Sequence, residues 1–176
     1  GIRLARRIQP VRLLRTHGSK PKYYHKVVGG NFRLDALQCA LLRVKLPHLP
    51  AYCAARQRNA AFYTGRLSGV SGYVPPTAKA GNEHIWNQYT VRVVGAGRRD
   101  ALRQHLTTAG IGAEIYYPLP LHQQECFAHL PKVSLPVTEK AAAEVISVPV
   151  FPELTESEKT AVADAIVGFS RQSSSS

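Results

Sequence analysis

The segment whose residues most clearly indicate a binding role is Gly29-Gly30-Asn31-Phe32-Arg33, which ends just before an apolar, helix-forming stretch. Adjacent glycines allow a tight turn and a close approach of the backbone to a ligand. Asn31 can donate hydrogen bonds from its amide, and Arg33 offers a planar guanidinium suited to phosphate or carboxylate. The N–H groups that open the next helix would add the positive end of its dipole. This pattern is typical of anion recognition, although an ordinary turn before a helix would have the same composition.

A second candidate is the loop in which Tyr116, Tyr117 and His122 surround two prolines. Prolines stiffen the backbone, and the three side chains combine apolar rings with hydroxyl or imidazole tips. A sugar has apolar faces and a hydroxylated rim, so this loop suits a sugar. The alternative is a packed loop with no ligand.

Three other patterns give weaker evidence for a functional site. His122, Cys126 and His129 have helical spacing, but no fourth ligand is evident, so we expect no metal site. The strand–Gly95–Gly97 run imitates a dinucleotide-binding turn, yet Asp100 occupies the place of the third glycine, so a plain turn is favoured. No nucleophile is visible, and we expect no catalytic residue within the chain.

Composition narrows the class of protein. The 176 residues are one domain's worth of chain, 44% of them hydrophobic, and no apolar run approaches a membrane span. Three cysteines without a paired spacing argue for a reducing compartment, so we expect a cytoplasmic protein. The net charge of +12 is concentrated in residues 1–66, which carry +13 against −1 in residues 67–176. Such a block could serve nucleic acid, a phosphorylated ligand or an acidic interface.

Apolar spacing and helix-capping residues predict more helices than strands. Apolar residues recur at helical spacing from Leu34 to Val44, and Thr155 with Glu158 has the spacing of a capping box. Asp100 is a candidate N-cap. The predicted helices are Leu4–Leu14 with a kink or restart at Pro10, the Leu34–Val44 stripe, Leu49–Leu67, Asp100 to Gly110, Thr138–Val145 and one from Thr155, and the predicted strands are Trp86–Val94 and Gly112–Tyr116.

Five collinear motifs resemble those of the DegT/StrS family of pyridoxal-phosphate-dependent sugar aminotransferases. The first is the Gly-x-Asn-x-Arg-Leu-Asp pattern that ends at Asp35. The others lie at residues 41–49, 84–89, 110–122 and 147–155. The resemblance implies an α+β fold, namely the C-terminal small domain of the type I aminotransferase fold with the helices that lead into it. We therefore expect a basic helix and loop at 1–30, a helical linker at 31–68, the small domain at 69–170 and a disordered tail at 171–176.

The resemblance also implies a function. Family members transfer an amino group to a keto-sugar on a nucleotide carrier, with pyridoxal 5'-phosphate as cofactor, from active sites shared across a homodimer. It assigns Asn31 to the cofactor phosphate of the partner subunit and Arg33 to the substrate. His25, Tyr116, Tyr117 and His122 are further substrate-binding candidates. The particular sugar and amino donor stay open.

The family's catalytic lysine lies upstream of the Asn31 motif. Lys20, Lys22 and Lys26 stand in the wrong context to be that lysine. We therefore expect the chain to be a C-terminal portion of such an enzyme, inactive alone. The alternative is a non-catalytic basic domain that acts as a regulator or binds nucleic acid, and no base-reading motif predicts more than weak, nonspecific binding.

Overall fold

A computed structural model of the chain describes residues 2–21 and 24–172, with side chains at 8–21 and 24–171. It contains two compact units, Gly1–His48 and Leu49–Ser176. Helices and a small antiparallel sheet give the expected α+β fold. Lys22 and most of the predicted tail, residues 173–176, lie outside the described residues. Residues 171 and 172, which were assigned to the tail, belong to the last helix, which continues to Gln172.

In the described part of the first unit, two helices are joined by a long turn. α1 (Ile2–Leu14) includes Pro10 within one helix, so it does not restart there. Residues 16–19 then pair with residues 25–31 through isolated antiparallel bridges. α2 (Ala36–Lys45) has no buried residue and is followed by a 3-10 turn at Leu46–His48.

Over residues 49–172, the second unit packs four α-helices around a three-stranded sheet. α3 (Leu49–Leu67) has the predicted bounds. It is followed by β1 (Tyr73–Val74), β2 (Tyr89–Val93), α4 (Arg98–Thr108), 3-10 turns at Leu121–Gln123 and Glu125–Phe127, α5 (Pro136–Glu144), β3 (Val145–Val148) and α6 (Glu156–Gln172). The sheet order is β1-β2-β3, antiparallel throughout.

The core lies where one face of β2 meets the helices. Tyr89, Val91 and Val93 are buried, as the alternation of the sequence predicts. They belong to one cluster with side chains from α3, α4, β3 and α6, among them Tyr63, Leu67, Leu102, Leu106, Ile146 and Ile166. α6 begins with the predicted capping box, because Thr155 and Glu158 exchange hydrogen bonds between side chain and backbone.

Several local predictions are wrong. Asp100 is not an N-cap, because Gly97 occupies that position with a left-handed φ of 71°. Asp100 lies in the first helical turn, where its charge complements the helix dipole. Residues 112–116 form only one bridge, Glu114 with Ser147, instead of a strand. The helix predicted around 138–145 is confirmed as α5, although it begins at Pro136 and ends at Glu144, because Val145 already belongs to β3.

Candidate functional site

The glycine pair approaches the protein's own backbone. A Cβ on Gly29 would lie 2.5 Å from the carbonyl oxygen of Leu14, so a side chain would not fit. The N–H of Gly30 donates to that same oxygen at 2.9 Å, and the carbonyl of Gly30 accepts from the N–H of His17 at 3.0 Å. The glycines therefore fasten the segment to the end of α1 and fix where Asn31 emerges.

Asn31 and Arg33 form a connected pair on the surface. Arg33 donates from Nε to Oδ1 of Asn31 at 2.6 Å, and both residues are exposed. This bond uses the oxygen of the amide and one nitrogen of the guanidinium. Within residues 8–21 and 24–171 the amide nitrogen of Asn31 and the two Nη groups of Arg33 have no hydrogen-bond partner, so they can donate to an anion.

The expected help from the next helix is not available. Asp35 is the N-cap of α2, and its carboxylate accepts hydrogen bonds from the N–H groups of Leu37 at 2.8 Å and Gln38 at 3.3 Å. A side-chain anion already occupies this helix end. Anion binding at the segment therefore depends on Asn31 and Arg33.

His25 is oriented by the backbone. Its Nδ1 lies 2.8 Å from the carbonyl oxygen of His17, and since a carbonyl only accepts, Nδ1 donates. His25 and Lys26 line an open recess of about 500 Å³ together with Val27, Val28 and others. The first unit thus carries three of the candidate residues, His25, Asn31 and Arg33, on one paired segment.

The two tyrosines lie together in the second unit. Their ring centroids are 6.4 Å apart with the planes at 79°, and both rings are exposed. They line a mostly apolar recess of about 240 Å³ together with Thr138, Ala141 and Ala142 of α5. Tyr116 also lines a more polar recess of about 250 Å³, whose other polar residues are Arg56, Asn87, Gln88, Glu114 and Ser147.

Sequence analysis missed the polar recess. Arg56 donates to the backbone oxygens of Trp86 at 3.4 Å and Asn87 at 3.3 Å, about thirty residues away, so no local pattern indicates the contact. Trp86 has a positive φ of 51° and stacks on His84 with ring centroids 4.0 Å apart. The His84–Tyr89 motif therefore shapes the turn that leads into β2.

His122 does not share a recess with the tyrosines. It lines a separate, otherwise apolar cavity of about 470 Å³ with Leu121, Phe127, Leu130 and others. Its Nε2 lies 3.0 Å from Oε1 of Glu139, a residue that the sequence did not single out. The backbone N–H of Leu135 and the imidazole both lower the pKa of Glu139 from its ordinary value of 4.5.

Two further observations concern metals and membranes. In residues 2–21 and 24–172 no group of three or more His, Cys, Asp or Glu side chains could hold a metal ion. Over the same residues, every helix is too short or too polar to cross a membrane.

Comparison with known proteins shows the family to which the chain belongs. The DegT/DnrJ/EryC1/StrS aminotransferase family matches residues 4–167, so the chain belongs to that family, whose members depend on pyridoxal phosphate. It is 46% identical over 164 residues to a pleiotropic regulatory protein of Geobacillus stearothermophilus, covering 91% of this chain and 43% of the relative. It is 42% identical over 156 residues to a UDP-N-acetyl-3-dehydro-alpha-D-glucosamine 3-aminotransferase of Acidithiobacillus ferrooxidans, covering 89% and 41%.

The fold agrees with solved members of the family. The crystal structure of DesV from S. venezuelae superposes with a TM-score of 0.81 at 36% identity, covering 93% of this chain and 44% of that one. An aminotransferase of the family from Brucella abortus gives a TM-score of 0.75 at 33% identity. The chain thus spans less than half the length of these relatives.

Proposed function

We propose that this chain is part of an aminotransferase that moves an amino group onto a keto-sugar carried by a nucleotide. The observation that carries the proposal is the family match over residues 4–167. Several relatives that match most of the chain are named as transaminases of UDP- or dTDP-linked sugars. In this reaction the residues described above bind and orient the cofactor and the sugar.

Asn31 and Arg33 fit a phosphorylated cofactor. Their mutual hydrogen bond leaves the amide NH₂ of Asn31 and the two Nη groups of Arg33 available as donors within the described chain, on a backbone that is fixed by Gly29 and Gly30. Asn31 would hold the cofactor phosphate, and Arg33 would bind the substrate beside it. When bound, pyridoxal phosphate supplies an electron sink for the carbanion chemistry.

Tyr116 and Tyr117 fit the sugar. Their exposed rings meet at a steep angle above an apolar recess, so one ring can cover a sugar face while the other walls its edge. Tyr116 also borders the polar recess, which offers amide and carboxylate groups to hydroxyls. His25 and His122 would contact more distant parts of the substrate.

The active enzyme would be a homodimer with shared sites, in which Asn31 serves the cofactor of the partner subunit. We expect the catalytic lysine to lie outside this chain, so the chain alone would be inactive. We expect the enzyme to be cytoplasmic. A regulatory role is the rival function. It is favoured by the name of the Geobacillus relative and by the charge of +13 on residues 1–66.

The two roles of the anion segment can be separated by mutation. In an enzyme made by joining this chain to the lysine-bearing part of a family member, we expect Asn31→Ala to weaken cofactor retention. A hydrogen bond to a charged group contributes about 1.5–3 kcal/mol, or roughly tenfold to more than a hundredfold in affinity. Arg33→Ala should chiefly raise the KM for the sugar. Arg43→Ala, which removes an exposed arginine of α2, is the matched control.

Because Arg33 is hydrogen-bonded to Asn31, the two substitutions should not be additive. Cofactor absorbance after gel filtration and steady-state kinetics of the double variant measure the coupling. Equal loss of cofactor in both single variants would contradict the division of roles.

Mixed dimers test the sharing of sites. One subunit carries both Asn31→Ala and a substitution of the catalytic lysine, and its partner is wild type. Shared sites leave each site with one defect and almost no activity. Separate sites leave one site intact and about half the activity, which would refute the cross-subunit role of Asn31.

A further inference from the structure

Glu139 is fixed by the beginning of its own helix. Its Oε1 accepts the N–H of Leu135, the N-cap of α5, at 2.9 Å. Its own N–H donates to the carbonyl oxygen of Leu135, also at 2.9 Å. The first bond holds the carboxylate and the second holds the backbone of Glu139, both independently of the contact with His122.

The same oxygen determines which nitrogen of His122 carries a proton. The hydrogen bonds from the backbone N–H of Leu135 and from His122 lower the pKa of Glu139. Its carboxylate is therefore ionised at neutral pH and can only accept hydrogen bonds. Nε2 of His122, 3.0 Å from Oε1, must therefore be the donor. In a neutral imidazole the other nitrogen, Nδ1, is then an acceptor.

Nδ1 has no hydrogen-bond partner within residues 8–21 and 24–171. The imidazole is 13% exposed and lines the cavity of about 470 Å³, whose other lining residues in the described chain are apolar. Hydrogen bonds are electrostatically stronger in apolar surroundings than in water.

We propose that Glu139 is a positioning residue for sugar binding. Its carboxylate takes the Nε2–H of His122 and thereby presents Nδ1 as the acceptor for one hydroxyl of the sugar. The inference rests on the proposed function, which assigns a sugar to this loop.

Nuclear magnetic resonance of the 176-residue chain tests the positioning. In alkaline solution, nitrogen-15 spectra distinguish the protonated ring nitrogen of His122 from the bare one, and the signal is assigned by its loss in His122→Gln. We expect a protonated Nε2 whose hydrogen exchanges slowly with water. Exchange should accelerate at least about tenfold in Glu139→Gln and not in the matched control Glu153→Gln. A proton on Nδ1, or unchanged exchange in Glu139→Gln, would overturn the proposal.

Titration of the joined enzyme described above, in wild-type and variant forms, with UDP-N-acetylglucosamine as the probe tests the role of Nδ1. Gln at position 122 can still reach Glu139 but places no acceptor where Nδ1 was. We expect His122→Gln to weaken binding roughly two- to tenfold, with Glu139→Gln between it and the wild type. Equal affinity of His122→Gln and wild type would show that Nδ1 does not contact the probe.

The two proposals fail in different ways. If the wild type does not bind the probe, the sugar-binding function of the loop is refuted, and a slowly exchanging Nε2–H would reduce Glu139 to a structural tie. If the probe binds but the variants do not alter its affinity, only the inference about Glu139 and His122 is lost.

Discussion

Two tyrosines of the core allow the same substitution with opposite expected results. Tyr63 is fully buried, and its hydroxyl has no hydrogen-bond partner among the described residues. The hydroxyl of Tyr73, which is 6% exposed, donates to the carbonyl oxygen of Ile166 in α6 at 2.9 Å. Replacement of either residue by phenylalanine removes one oxygen atom and leaves the ring in place.

The expected energies follow from the partners. Tyr73→Phe loses a buried hydrogen bond and should destabilise the fold by about 1 kcal/mol. Tyr63→Phe loses no hydrogen bond and relieves a polar group of burial, so it should stabilise the fold by about 1 kcal/mol. For a chain of this size the two variants should differ in Tm by about 6 °C.

Urea titration at neutral pH and thermal melts measure the difference. A loss of 1 kcal/mol or more in Tyr63→Phe would refute the reasoning, because its hydroxyl would then have a favourable partner. Tyr89→Phe is a useful third variant, since the Tyr89 hydroxyl lies 3.0 Å from that of Thr64.

Alkaline pH gives a second measurement on the same variants. Burial raises the pKa of Tyr73 from 10.0 to about 12, and burial raises the pKa of Tyr63 as well. Between pH 10 and 12 the folded state therefore holds more protons than the unfolded state, so stability must fall as pH rises. Tyr73→Phe should remove its share of this slope, at most about 1.4 kcal/mol per pH unit.

Three other results are expected. Incubation of the chain with pyridoxal phosphate and reduction with borohydride should give no stoichiometric adduct at a single lysine, as judged by peptide mass mapping; one fully labelled lysine, with turnover, would contradict the position of the catalytic lysine outside the chain. Fluorescence titration with duplexes of several sequences should show weak binding that disappears with salt; a sequence preference that survives physiological salt would favour the regulatory function. Thr155→Ala should lower the free energy of unfolding by about 1 kcal/mol because α6 loses its N-cap, and Thr155→Ser should retain most of it.

Elements with a strong local signal could be predicted from sequence. α3 has the expected bounds because Pro47 and Gly69 bracket a long apolar-periodic run. α6 begins where its capping box indicates. β3 was missed because Val145 follows α5 directly, with no glycine or proline between them to mark the change. β1 has two residues, too few for a periodic pattern.

The residues of the candidate site also include some that the sequence predicts and some that it does not. Tyr116 and Tyr117 are adjacent in sequence, so their proximity was certain, and a motif indicated Asn31 and Arg33. Whether these residues bind cofactor and sugar stays a prediction. His122 and Glu139 are 17 residues apart in the sequence, and Arg56 and Asn87 are 31 residues apart. Tertiary structure creates such contacts, and one sequence without its fold contains no signal for them.

The sheet also bears on how the chain behaves at high concentration. Strand edges with unpaired backbone groups can recruit a second copy and start aggregation. One edge here is β1, with only two residues, and the other, β3, is partly covered where Glu114 pairs with Ser147. Intermolecular strand pairing therefore has little backbone to use in the described chain. We expect aggregation of the purified protein to begin instead at the exposed leucines of α2. Polar substitutions of these leucines, rather than of sheet residues, should improve its solubility.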